Sequence, residues 1–147
     1  MGVIVYQDID LTVPATADVD IWSLFAAASK RVRLLGWELT SSDIAAEVVE
    51  LELRRITVVG SVGASSTTEE AADELAGAIT ANVRTLDTTA GTGGGNLMSY
   101  NWEQLGPVGH TWIPEAAPRS LVSEGFAVTN RSAVGFAARG WICWEEI

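Results

Sequence analysis

The stretch Glu47-Val48-Val49-Glu50-Leu51-Glu52-Leu53-Arg54-Arg55-Ile56 decides the fold class. Val49, Leu51 and Leu53 alternate with Glu50, Glu52 and Arg54, so an extended chain carries one apolar and one charged face. A helix would need its apolar residues three and four apart. The segment predicts a strand half-buried against a core. Residues 31–40 repeat the pattern, with Val32 and Leu34 on one side and Arg31, Arg33 and Leu35 on the other. The alternation then breaks at Gly36 and Trp37, and a glycine inside a strand pattern predicts a bulge or bend.

Working outward, further strands are predicted at residues 9–13, 21–28, 56–62, 97–105, 111–113, 121–129 and 133–145. Turn-rich residues 14–20, 41–43, 106–109, 114–118 and 130–132 separate most of them. Short strands at this spacing predict an all-β sandwich or barrel. Residues 69–79 (EEAADELAGAI) depart from it: they are rich in Ala and Glu and follow two capping threonines, Thr67 and Thr68. They predict one short helix in a long connection. Residues 88–96 (TTAGTGGGN) predict a loop, because their glycines lose too much backbone entropy in a strand. The excursion from 63 to 96 either lies on one edge or holds a strand near residues 81–86. No repeat or linker divides the chain. Residues 1–14 form an N-terminal arm or edge strand, and residues 15–147 a single β-sandwich domain.

Composition excludes several function classes. The chain has 147 residues, enough for one self-sufficient core, and a net charge of −10. Such an acidic body repels phosphate backbones, so no nucleic-acid partner is expected. With one thiol, Cys143, and one imidazole, His110, neither an intrachain disulfide nor a multi-histidine zinc site can be built. Cys143 sits in an apolar stretch and is read as a buried, inert thiol. The opening residues carry no basic region of an export signal, and the longest apolar stretch is far too short for a bilayer. Synthesis in a reducing cytosol, with no membrane partner, is the expectation.

No catalytic constellation emerges. Gly91-Thr92-Gly93-Gly94-Gly95 lacks the Lys-Ser/Thr ending of a phosphate-binding loop. Asp8, Asp10, Asp18 and Asp20 offer oxygen donors for an ion, but without the turn and closing Glu of a calcium loop. A solvated acidic face is the simpler reading. His110 lacks a nucleophile motif beside it. Glu145 and Glu146, like Glu69 and Glu70, are adjacent and point apart when extended, unlike a glycosidase pair. Asn130-Arg131-Ser132 reads as a polar turn closing a hairpin. No enzyme activity, cofactor or metal is expected. The six tryptophans, Trp22, Trp37, Trp102, Trp112, Trp141 and Trp144, are the unusual feature. Trp141 and Trp144 fall on opposite faces of one strand, so one of them lies outside the core they would otherwise share.

The C-terminal half carries a recognisable cadence: Leu121-Val122-Ser123-Glu124-Gly125-Phe126-Ala127-Val128-Thr129, then Val134-Gly135-Phe136 running on to Gly140-Trp141-Ile142-Cys143-Trp144-Glu145-Glu146. Together with Lys30-Arg31-Val32-Arg33 leading to Gly36-Trp37-Glu38, this resembles small β-sandwich or jelly-roll virion proteins of tailed bacteriophages. The resemblance runs from about residue 26 to the C-terminus, and the middle diverges most. It implies an antiparallel, jelly-roll-like sandwich and a capsid decoration (cement) protein on the capsid exterior. The implied partners are the major capsid protein and two further copies, in a homotrimer. The residues expected to make capsid or subunit contacts are Val3, Ile4, Val5 and Tyr6 of the arm, with Trp141 and Trp144. Removing residues 1–10 is then expected to weaken attachment while sparing the fold. The alternative is a tail- or fibre-associated module that binds host carbohydrate, with Trp112 or Trp102 as stacking platforms.

Overall fold

The strand anchored by Val49, Leu51 and Leu53 exists, one place in from an edge of its sheet. In the computed structural model, which describes residues 2–43, 47–65, 69–72 and 78–147, it spans Val49–Ile56 as β4. All three side chains are buried. The described residues form ten other strands: β1 (Val3–Val13), β2 (Val19–Phe25), β3 (Val32–Ser41), β5 (Ala64–Ser65), β6 (Glu69–Ala71), β7 (Asn82–Asp87), β8 (Asn96–Trp102), β9 (Val108–Thr111), β10 (Gly125–Asn130) and β11 (Phe136–Glu146). One sheet has the order β6-β1-β11-β3-β9 and the other β5-β7-β2-β10-β4-β8, and all named pairings are antiparallel.

Without the short excursion strands, the sheets reduce to β1-β11-β3-β9 and β2-β10-β4-β8. Successive strands cross between the sheets except for β4 and β8, which pair with each other. That is the jelly-roll order, a double-sheet solution that buries one face of every strand. The excursion extends both sheets on the same side of the sandwich, β6 beside β1 and β7, then β5, beside β2. β7 is the strand foreseen near residues 81–86.

The short helix is not seen among the described residues. Glu69–Ala71 pairs with Val5–Gln7 as β6, and residues 78–80 are irregular, while 73–77 lie outside the described residues. The strand expected at 56–62 is also absent beyond Ile56: Val58 and Ser61 make only single bridges to Thr92 and Thr89. Residues 130–132 do not close a hairpin, because β10 and β11 belong to different sheets. They form a turn in which the Ser132 amide donates to Asn130 Oδ1 and Asn130 Nδ2 donates to the Val134 carbonyl.

The core lies between the sheets and is centred on aromatic side chains. Trp22, Trp37, Trp144 and Phe126 are fully buried, and Trp22 meets Trp37 edge-on with ring centroids 6.1 Å apart. Two bulges keep the apolar residues facing inward. The β3–β11 register shifts between Cys143 and Trp144, leaving Leu35 opposite no residue, so Leu34 and Trp37 both reach the core. This is the irregularity that Gly36 foreshadows. A second shift, between Val128 and Thr129, lets Ile21 and Trp22 both pack inside.

β1 is more than an arm. Val5, Ile9 and Val13 are buried core residues, and β1 pairs with β11 along its whole length. Removing it therefore strips the core as well as any contact surface.

The acidic residues nearest the core have defined partners. Asp20 is buried, accepts hydrogen bonds from the Gly91 amide and the Thr129 hydroxyl, and pairs with Arg54 at 3.1 Å. Burial pushes its carboxyl above the ordinary value, against the pull of those three donors. Glu146, also buried, accepts from the backbone amides of Thr80 and Ala81 and from the Thr80 hydroxyl, so the chain terminus pins the return of the excursion. Replacing Glu146→Ala leaves those donors without their acceptor. The expected cost is at least about 2 kcal/mol, since hydrogen bonds to charged groups are worth about 1.5–3 kcal/mol each. Urea unfolding measures it, and a loss under about 0.5 kcal/mol, the range of ordinary surface substitutions, would show that the pin is dispensable.

Candidate functional site

The outer face of the five-stranded sheet carries the most distinctive surface. The strand period places Ile4, Tyr6, Asp8 and Asp10 of β1 outward, and the β1–β11 register sets them opposite Glu145, Cys143, Trp141 and Arg139. On the other side of β11, Cys143 pairs with Gly36 and Trp141 with Glu38. In the middle lies a shallow depression of about 220 Å³, lined by Tyr6, Leu35, Gly36, Thr111, Trp112, Pro114, Trp141 and Cys143. Leu35 can face outward only because the bulge gives β3 an extra residue there.

The Trp141 indole lies across β3. A Cβ built on Gly36 would stand 3.0 Å from the far edge of the indole ring, closer than ordinary contact, so the absence of a side chain at 36 gives the ring its room there. The ring is half-buried, with one side against the sheet. Tyr6 is 51% exposed and reaches the Cys143 thiol. Burial raises the thiol's pKa, and the tyrosine hydroxyl only partly offsets the shift. The thiol charge and hydrogen bond together raise the tyrosine in turn. Neither group is poised as a nucleophile at neutral pH.

The residues expected to make contacts divide by strand parity. Val5 and Trp144 are fully buried and unavailable to a partner, whereas Tyr6 and Trp141 line the same depression. Ile4 is 40% exposed on that face, and Val3 is partly buried against the core. The expected difference between Trp141 and Trp144 holds, with Trp144 inside and Trp141 outside. Trp102 is no surface platform: it is buried, and its Nε1 donates to the Gly106 carbonyl at 2.7 Å. Trp112 is half-buried at the rim, its ring 4.5 Å from that of His110.

Other candidates disperse. Asp8 and Asp10 lie on one sheet, Asp18 pairs with Arg131, and Asp20 pairs with Arg54 on the other sheet, so the four do not converge. Among the described residues no three His, Cys, Asp or Glu side chains stand close enough to hold a metal ion. The glycine cluster is committed to the fold. Gly93 and Gly94 have left-handed φ of 82° and 65°, and the Gly91 amide is taken by Asp20. His110 is exposed and makes no hydrogen bond or ion pair with a carboxylate among the described residues. Glu145 and Glu146 do point apart, one paired with Arg33 at 3.1 Å and the other buried.

Sequence reasoning identified Tyr6 and Trp141 separately but not as neighbours, and it missed Leu35, Gly36 and Pro114 as parts of one surface. The opposite parity of Trp141 and Trp144 was available in the sequence, but not which of them faces outward. The register that brings Tyr6 beside Cys143 was not. Comparison with known protein families, with curated proteins and with solved structures finds no match to this chain.

Proposed function

We propose that the chain is a structural protein of a bacteriophage virion, a capsid decoration (cement) protein that binds the outer capsid lattice and stabilises it. It attaches by the outer face of the five-stranded sheet. The observation that carries the docking role is the Trp141 depression: an aromatic and apolar surface on rigid strands, with no assembled catalytic group in its lining. The jelly-roll order supports the virion assignment by analogy, since viral capsid domains use it, although lectin domains and cupins use it too. The sequence resemblance favours the capsid use.

Cementing is multivalent. A homotrimer presents three such faces, so modest contacts to neighbouring capsid subunits sum to a firm attachment. The acidic surface is tolerated on the capsid exterior, away from the packaged DNA. The test is the copy number of this chain in purified particles of the phage that encodes it, by quantitative mass spectrometry. Hundreds of copies in fixed ratio to the major capsid protein are expected. A handful would move the chain to the neck, tail or fibres, and absence from the particle would overturn the assignment.

One observation favours a second reading. Trp141 resting on the sheet, with Tyr6 and Trp112 beside it, is also a geometry on which a sugar ring can stack. A tail- or fibre-associated carbohydrate-binding module would show saturable tryptophan quenching with a host polysaccharide, whereas a decoration protein would not.

A further inference from the structure

The two cross-strand neighbours of Trp141 on the outer face are both carboxylates: Asp8 on β1 and Glu38 on β3. Directly opposed side chains on one face have Cβ atoms about 4.5–5.5 Å apart, so the Trp141 Cβ stands in a row with an acidic group on either side while the ring leans from that row toward Gly36. No cation of this chain within the described residues neutralises them. Arg33 is engaged by Glu145 at 3.1 Å, and Arg139, on the same face, approaches Asp10 at 3.6 Å. Gly36 lets the ring rest against β3, which leaves its other side available to a partner.

An aromatic face attracts a cation through its quadrupole, and flanking carboxylates add charge-assisted hydrogen bonds to the same cation. A neutral sugar or an apolar helix would gain nothing from the two carboxylates and would have to desolvate them. We infer that the Trp141 face takes an Arg or Lys side chain presented by a protein partner, seated on the indole between Asp8 and Glu38. This inference rests on the docking-face reading and names the chemistry of the partner, a basic protein surface. A planar guanidinium suits the site best, because it stacks on the ring while its edges donate to both carboxylates.

The test titrates the ¹⁵N-labelled full chain with tetra-arginine and with its neutral isostere, tetra-citrulline, following the indole N–H signals by NMR. Trp141→Ala identifies the Trp141 signal by its loss. A saturable shift of that signal by tetra-arginine alone is expected, with binding at least about tenfold weaker in the Asp8→Asn, Glu38→Gln double variant. Gly36→Val, which displaces the ring and leaves both charges in place, is expected to weaken it also. Equal response to tetra-citrulline, or a shift unaffected by the charge-neutralising pair, would overturn the inference.

A parallel measurement of particle attachment separates the two readings. If Trp141→Ala abolishes attachment and the Asp8→Asn, Glu38→Gln pair leaves it intact, the docking face stands and the cation inference fails. If Trp141→Ala leaves attachment unchanged, the docking-face reading fails, whatever the peptide does.

Discussion

A chain lacking residues 1–13 is expected not to fold. β1 lies between β6 and β11 in the five-stranded sheet and pairs with β11 from Val3–Glu146 to Val13–Phe136. Its inward side chains Val5, Ile9 and Val13 are at most 3% exposed. Burying an aliphatic side chain is worth about 1.5–3 kcal/mol, so the three together supply about 5–9 kcal/mol. A domain of this kind is stable by only about 5–15 kcal/mol in total. Truncation would also strip the pairing partners from one edge of β11, whose own inner face holds Ile142 and Trp144. Circular dichroism and urea unfolding of residues 14–147 check this. No cooperative transition is expected, while native-like near-ultraviolet signal with a sharp transition would show β1 to be a detachable arm. The same result explains why arm contacts must be probed by point substitutions at Ile4 and Tyr6 and not by deletion.

The second large effect is a contrast within one strand. Trp144→Ala is expected to cost about 3–5 kcal/mol, the usual penalty for emptying a buried tryptophan site. The ring is completely buried between the sheets, and its indole N–H has no acceptor among the described residues. Its loss is therefore one of packing alone, and Trp144→Phe is expected to recover much of the stability, because it restores aromatic volume without the polar group. Trp141→Ala, three residues away and on the opposite face, is expected to cost less than about 1 kcal/mol, as surface positions do. At this chain length each kcal/mol shifts Tm by about 2–4 °C, so thermal melts of the two variants separate clearly. Equal destabilisation would mean that the outer depression is structural. Loss of particle attachment without loss of stability, in Trp141→Ala, is the signature of a contact residue.

Both results depend on strand parity, which is the part of this protein most legible in its sequence. Val49, Leu51 and Leu53 announced a half-buried strand, and all three are buried. The two tryptophans of β11 were separable because side chains alternate along an extended chain. The break at Gly36 marked a bulge that the register shift beside Leu35 realises. Composition added that the chain must stabilise itself without disulfides. The errors lie where local propensity competes with pairing. The Ala- and Glu-rich start of residues 69–79 prefers helix by itself, yet Glu69–Ala71 lies along β1. The backbone partners offered by an open strand edge outweigh a preference worth only tenths of a kcal/mol per residue.

The residue pattern alone established an all-β chain whose strands turn apolar side chains inward, and it established that Trp141 and Trp144 point to opposite faces. The jelly-roll order, the place of β1 in the core, the choice of Trp141 over Trp144 as the outward tryptophan, and the meeting of Tyr6, Leu35, Trp112 and Trp141 in one depression came from the folded chain. The reason is that side-chain alternation is a property of the local backbone. Pairing is not: residues 6 and 143, or 8 and 141, become neighbours through a register set by the packing of the whole sandwich, and nothing within either segment encodes its partner.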